Sequence, residues 1–295
     1  MVTTSYDRIE SDTKHRISRA IVVSGIFAFL LLAAGAQALA GVLAAPTVVV
    51  LSDQNRTGRI NLENPSAKPK EVEIYFSFGL PESDSLGNIQ LTLQDTNIAD
   101  PRSCAEWIRA FPRKVILPPN GSQVVRLVAR PPKDLEDGEY WARIVVRSQE
   151  GETELPMAEQ NDQITTKLNM IMQTAISLKY RTGELAAEVK LRNLDVKKKE
   201  NTVEILADLE STGNVSYLGI FDCRLLDADN KVISISDGNI AVYRDMRKRI
   251  NLPIKQGEFK EPYTVDLKIT CEGRTDIDRK DIVFGNEITY SAIVE

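Results

Sequence analysis

The sequence predicts an all-β protein: two tandem immunoglobulin-like β-sandwiches behind an N-terminal signal or anchor helix. Three observations lead there. Past Pro46 the apolar residues recur with period two, and almost no stretch shows helical spacing. The alternating runs are short and are bounded by Gly, Pro, Asn and Asp, the punctuation of antiparallel sandwiches. The C-terminal region, 183–295, has the length of one immunoglobulin-like domain, and 46–182 leaves room for another.

The elements follow in chain order. Residues 1–19 are polar and carry Arg8, Lys14, Arg16 and Arg19, whereas Ala20 to Pro46 holds no charge. Small residues at the exit offer Ala-x-Ala sites at Ala36/Ala38 and Ala38/Ala40, with Leu43-Ala44-Ala45 behind them. A basic start, an apolar centre and a small-residue exit describe a secretory signal. The stretch also exceeds the ~20 residues a membrane span needs, so an uncleaved anchor fits as well. In both cases the bulk of the chain lies outside the cytoplasm.

Strand signals then recur in "PTVVVLS", "GRINLEN", "EVEIYFSF", "NIQLTLQ", "QVVRLVAR" and "EYWARIVVRS". In "NIQLTLQ", Ile89, Leu91 and Leu93 share a face. "CAEWIRA" (104–110) allows one helical turn, too short to alter the class. Residues 148–163 are polar, acidic and without pattern, which reads as a loop. "RTGE" (181–184) marks a boundary, and "LAAEVKLRN", "TVEILADLE", "YLGIFDCRLLD", "KVISIS", "RKRINLPI", "YTVDLKITC" and "ITYSAIVE" supply the second sandwich.

One strand stands out by length. In "ITTKLNMIMQTAISLKYR" (164–181), Thr166, Leu168, Met170, Met172, Thr174, Ile176, Leu178 and Tyr180 share one face. Strands usually have roughly 5–6 residues, and this alternation spans about three times that. It is either a core strand with generous ends or a strand whose extra length serves something else.

Composition excludes several functions. The 295 residues carry 37 Lys and Arg against 42 Asp and Glu, a net charge of −5 without a long basic run, so nucleic acid is not an expected partner. The single histidine, His15, precedes the apolar segment, so a His-dependent triad or metal site in the exported part is not expected. No glycine-rich phosphate loop, Cys-x-x-Cys or GxSxG elbow occurs, and no cofactor or enzymatic activity is expected. "DADNK" (227–231) reads as a hairpin turn and "RDMRKR" (244–249) as an exposed strand face. Of the three cysteines, Cys223 and Cys271 fall in the inward register of their strands. An oxidising compartment would let them bridge two packed sheets, and two buried free thiols are the alternative. Cys104 is left unpaired.

Residues 46–182 resemble the N-terminal domain of the PapD-like periplasmic pilus chaperones. The resemblance runs through Val48–Leu51, "INLENPS" with Asn64, Trp107, Pro112, Leu117-Pro118, Gly121, Val125-Arg126-Leu127 and "DGEYWARIVV", and ends on "LKYR" (178–181). The acidic loop and the long strand stand where that family has a mobile loop and the strand it donates to pilins lacking their last strand. The resemblance implies a periplasmic chaperone-like protein without a cofactor, acting in fimbrial biogenesis. Its partners would be pilin-like subunits or other envelope β-proteins, bound through Leu168, Met170, Met172, Thr174 and Ile176. Methionines suit such a role because unbranched, polarizable chains fill differently shaped pockets. The membrane would be touched only through an uncleaved N-terminal segment, which would tether the protein to the inner membrane facing the periplasm. A membrane-tethered or surface adhesion protein with two such domains is the alternative function. The family also holds the client's terminal carboxylate with two basic residues, and those positions fall on Val48 and Ser177. Neither is basic. Lys167, Lys179 and Arg181 lie nearby but off that register.

Overall fold

The structure, a computed structural model, describes residues 41–93, 100–151, 170–254, 257 and 259–294. The N-terminal signal or anchor and Leu168 lie outside the described residues. No helix among the described residues is long and apolar enough to cross a membrane.

Strands dominate, as alternation predicts. The first unit comprises β1 (Leu43–Ala45), β2 (Val48–Ser52), β3 (Thr57–Glu63), β4 (Lys70–Ser77), β5 (Pro81–Ser83), β6 (Ile89–Leu91), β7 (Ile108–Phe111), β8 (Lys114–Leu117), β9 (Ser122–Ala129), β10 (Gly138–Glu150) and β11 (Ile171–Thr182). Two sheets, ordered β1-β3-β9-β7 and β2-β11-β10-β4-β8, pack face to face. Val49, Leu51, Ile60, Leu62, Ile74, Val125, Leu127, Ile144, Leu178 and Tyr180 form the core between them. Within "CAEWIRA" the helical turn is a 3-10 helix, Ala105–Trp107, that leads straight into β7.

The second unit comprises β12 (Val189–Lys199), β13 (Thr202–Ser211), β14 (Tyr217–Leu226), β15 (Val232–Val242), β16 (Asp245–Pro253), β17 (Thr264–Thr270) and β18 (Ile288–Ile293). Its sheets run β12-β13-β16 and β15-β14-β17-β18 around a separate apolar core. The "DADNK" turn is a hairpin turn between β14 and β15. Asp227 closes it by accepting from the Asp229 and Lys231 amides.

Three sequence expectations change. The run containing Ile89, Leu91 and Leu93 is not a core strand. β5 and β6 form a separate two-stranded hairpin with Ile89 and Leu91 exposed. Alternation shows that a strand has two faces, not that either is covered. The "RDMRKR" cluster does not simply face solvent. The Arg247 amide donates to the Ser83 hydroxyl, its guanidinium donates to the Ser85 carbonyl, and Arg249 reaches Asn88, so this hairpin straps the first unit to β16 of the second. Finally, Cys104, Cys223 and Cys271 are all buried free thiols. Cys223 lies on β14 and Cys271 directly follows β17, its neighbour in the same sheet, so the two do not face each other from two packed sheets. Cys223 pairs with Leu267 and the ladder ends at Ile220 with Thr270, just before Cys271. The two cysteines are thus offset by four residues, roughly 14 Å along the strand at about 3.4 Å per residue. Disulfides need Cα atoms within about 7 Å.

The chain enters the first sandwich earlier than Pro46. Val42 is buried in its core, and Leu43, Ala44 and Ala45 pair with Glu63, Leu62 and Asn61. Beyond Pro46 the same run leaves that sheet and continues as β2 in the other.

Candidate functional site: an open strand edge beside a charged cleft

β11 is built asymmetrically. Along its whole described length it pairs antiparallel with β10, from Gly138 opposite Thr182 to Gln149 opposite Ile171. On its other flank β2 runs parallel to it, but only from Val48 opposite Ser177 to Ser52 opposite Arg181. No described strand lies along that flank from Ile171 to Ile176. The Ser177 amide donates to the Thr47 carbonyl. Backbone groups alternate in direction along a strand, so Ile171, Gln173 and Ala175 point their N–H and C=O groups toward the open side.

The side chains divide at the same place. Ile176, Leu178 and Tyr180 are buried in the first core, each burial stabilising by about 1.5–3 kcal/mol. Met170, Ile171 and Met172 are 56 %, 47 % and 37 % exposed, and Thr174 is also exposed. Of the residues the sequence marks for a partner, the structure therefore brings Met170, Met172 and Thr174 together at an open edge. It removes Ile176, which its own sandwich has already buried. Leu168 is outside the described residues.

The outer face of β10 and β11 looks at the second unit and holds the two most buried charges among the described residues, Glu139 and Lys179. Ser177, Lys179 and Arg181 sit two apart and so share this face with Glu139 and Trp141 of β10. Lys179 and Arg181 were expected off the register of Ser177; they follow it on the same side. Glu139 Oε1 accepts from Lys179 Nζ at 2.7 Å, Trp141 Nε1 at 2.7 Å and the Ser216 hydroxyl at 2.5 Å. Glu139 Oε2 accepts from Arg181 Nε at 2.8 Å. Burial alone would push the Glu139 carboxyl up, but Lys179 and Arg181 hold it down at about 2. Lys179 also lies 4.4 Å from the centre of the Tyr243 ring, and the Tyr243 hydroxyl shares a 3.2 Å hydrogen bond with Ser177. Ser216 and Tyr243 come from the second unit, and Arg181 Nη1 donates to its Asp281 carbonyl at 2.9 Å. Sequence reasoning missed Glu139 and Tyr243. Glu139 sits in "DGEYWARIVV", where its register opposite Arg181 was not visible without the strand pairing.

Asn64, noted at the end of β3, is fully buried. Its Nδ2 donates to the Lys68, Pro118 and Leu117 carbonyls, and its Oδ1 accepts from the Ser66 amide and hydroxyl. It ties two turns together at one end of the sandwich.

Fold and site together define a class: a two-sandwich β-protein with a long strand whose N-terminal half has one flank unpaired among the described residues. No family model and no curated protein matches the chain. Among solved structures it is similar to the Pseudomonas aeruginosa CupB2 chaperone, at 13% identity over 84% of this chain and 98% of that one, TM-score 0.38. The Salmonella enterica SafB chaperone, solved in complex with the SafA pilin, matches at 15% identity over 88% and 99%, TM-score 0.41. The Acinetobacter baumannii CsuC–CsuE chaperone–tip adhesion subunit complex matches at 13% over 72% and 91%, TM-score 0.38. Likeness this distant carries no functional argument, which falls to the geometry of this chain.

Proposed function

We propose that this protein is a periplasmic chaperone-like binding protein that completes unfinished β-sandwich subunits, pilin-like or otherwise of the cell envelope, by lending them the free half of β11. The observation that carries the reading is the split in that strand. Its C-terminal half is locked into its own sandwich, and its N-terminal half has, among the described residues, one backbone edge without a paired strand and two exposed methionines. An incomplete sandwich has the complementary defect: a row of unpaired backbone groups beside an open core groove. A lent strand supplies the hydrogen-bond ladder and alternate side chains for the groove. In this reading Leu168, Met170 and Met172 fill the groove and Thr174 lies at its end, while Ile176 serves the home core. The process requires neither cofactor nor catalysis.

The test replaces Leu168, Met170 and Met172 together with Ser or Thr. The variant should fold, with unchanged circular dichroism, and lose the β-rich subunits that the parent protein retains from an envelope extract. Retention of the same subunits by the folded variant refutes the reading.

A further inference from the structure

We propose that the outer face of the β1-β3-β9-β7 sheet is a docking surface for anionic lipid headgroups, on which the first sandwich lies against a membrane. Binding there is independent of strand lending. The face points away from the sheet that holds β11, so its occupation leaves the β11 edge free.

The face is set by alternation. Ile60 and Leu62 of β3 and Val125 and Leu127 of β9 turn into the core, so Arg59 and Arg126 turn outward and are exposed. β7 adds Arg109 and Phe111 to the same side. The register then stacks like charges. Arg59 lies directly opposite Arg126, and Arg126 directly opposite Phe111. Opposed side chains stand about 4.5–5.5 Å apart at Cβ, and like charges placed so are destabilising. Nothing within the fold offsets that cost. Neither arginine makes an ion pair or a hydrogen bond among the described residues, and Arg109 donates to the Glu106 and Ile108 carbonyls. The one acid on this face, Glu63, is four residues from Arg59, roughly 14 Å along β3. The chain as a whole carries a net charge of −5, so the face is a local reversal of sign.

Two features favour a lipid surface over an acidic polypeptide. The cations are all arginines, whose planar, weakly hydrated guanidinium pairs bidentately with phosphate. Large apolar side chains stand among them: Phe111 and Val124 are 54 % and 53 % exposed, and Leu43 of β1 is exposed on the same side. Interfacial segments use this combination, with cations at the headgroups and apolar side chains in the boundary below them. Each arginine near an anionic surface is worth roughly fivefold in partitioning.

The experiment uses the full chain carrying Val124→Cys, labelled with a nitrobenzoxadiazole fluorophore. The native thiols are buried, so the label goes to this position alone. The protein is mixed with vesicles of phosphatidylcholine, either pure or with about 30 % phosphatidylglycerol to supply the negative surface potential. Emission should rise at least twofold and shift to the blue on the anionic vesicles alone. The rise should vanish in about 1 M NaCl, where the Debye length is about 3 Å. Arg59→Gln together with Arg126→Gln should lose most of it with circular dichroism unchanged. The N-terminal segment is the same in every arm and cannot produce these differences. An equal rise on neutral vesicles, a rise indifferent to salt, or one unchanged in the folded double variant overturns the proposal. The same rise without vesicles also overturns it: with poly-glutamate the face would belong to an acidic polypeptide, and with inorganic phosphate to a free ion. Should the double variant fail to fold, the lipid and salt arms on the labelled parent decide.

Discussion

Replacing Glu139 with Gln should destabilise the protein by several kcal/mol and reshape its acid limb. Glu139 is fully buried between Lys179, 1 % exposed, and Arg181, 7 % exposed. Its charge offsets two cations that neither water nor another described carboxylate within ion-pair distance reaches. Removing one partner of a buried ion pair typically costs about 3–5 kcal/mol, because the other charge stays buried without compensation. The carboxyl's own titration gives a similar figure. A drop from 4.5 to about 2 on folding corresponds to on the order of 3 kcal/mol. The sign follows from the depressed value. This stability is fully present above about 4.5 and is lost as pH falls through about 2. Urea titrations at pH 7 and at pH 3, followed by circular dichroism and by the fluorescence of Trp141, which donates to Glu139, would measure both effects. The parent protein should lose stability between those pH values, and the Gln variant should start lower and lose less over the same interval. A pH 7 loss below about 1 kcal/mol, or an unchanged acid limb, would mean that Lys179 and Arg181 do not depend on Glu139. A further change of Lys179 to Met should recover part of the loss, since it removes one stranded cation.

Three other outcomes follow. Asn64→Ala should cost about 1–3 kcal/mol by chemical denaturation, because it strips the buried Leu117 carbonyl and the partly buried Pro118 carbonyl of their donor and gives nothing back; a loss under half a kcal/mol would show that water replaces the amide. Gly87→Ala should release the β5–β6 hairpin, since Gly87 has φ +74° and a Cβ there would lie 2.7 Å from the Arg249 amide nitrogen. Limited proteolysis should then cut near Leu86, and a cleavage pattern identical to the parent's would show the strap to be dispensable. The three thiols should react with a maleimide only on unfolding, and reduction should leave the denaturation midpoint unchanged; a midpoint that falls on reduction would place a bridge where the strands forbid one.

How much of this was legible in the sequence depends on the range of the interaction. Period-two alternation exposes strands because it records which side chains face a common layer, so β3, β4, β9 and the buried half of β11 could be read directly. It says nothing about whether a layer exists. Ile89 and Leu91 alternate as cleanly as Ile60 and Leu62 and are exposed. Cys223 and Cys271 showed their inward register, yet their separation depends on the order of strands in a sheet, a property of pairs. The candidate edge was legible as excess length and methionine content. Its end at Ile176 was not, because that limit is set by where β2 begins, more than a hundred residues earlier in the chain.

On the proposed reading, the cleft also constrains how a client would be held. In the resembling family a terminal carboxylate meets two basic side chains, and here those positions are Val48 and Ser177, directly opposite each other across β2 and β11. Lys179 stands two residues on, on the right face, but it already donates to Glu139 and Ser216. A client carboxylate would have to displace Glu139, which holds four side-chain donors, and would leave Glu139 charged and buried. Such a displacement costs more than one surface ion pair returns, typically about 0–1 kcal/mol. Arg181 Nη2 is buried without a described partner, yet it is sealed from solvent by the same packing. On the proposed reading, then, affinity has to come from the edge itself. The N–H and C=O groups of Ile171, Gln173 and Ala175 offer a short ladder at about 0.5–1.5 kcal/mol per bond. Burying Met170 and Met172 adds about 1.5–3 kcal/mol each before ordering costs. Neither contribution reads a client's sequence closely. A protein built this way would accept any subunit whose open groove fits flexible thioether side chains, and would discriminate by groove shape and not by terminal charge.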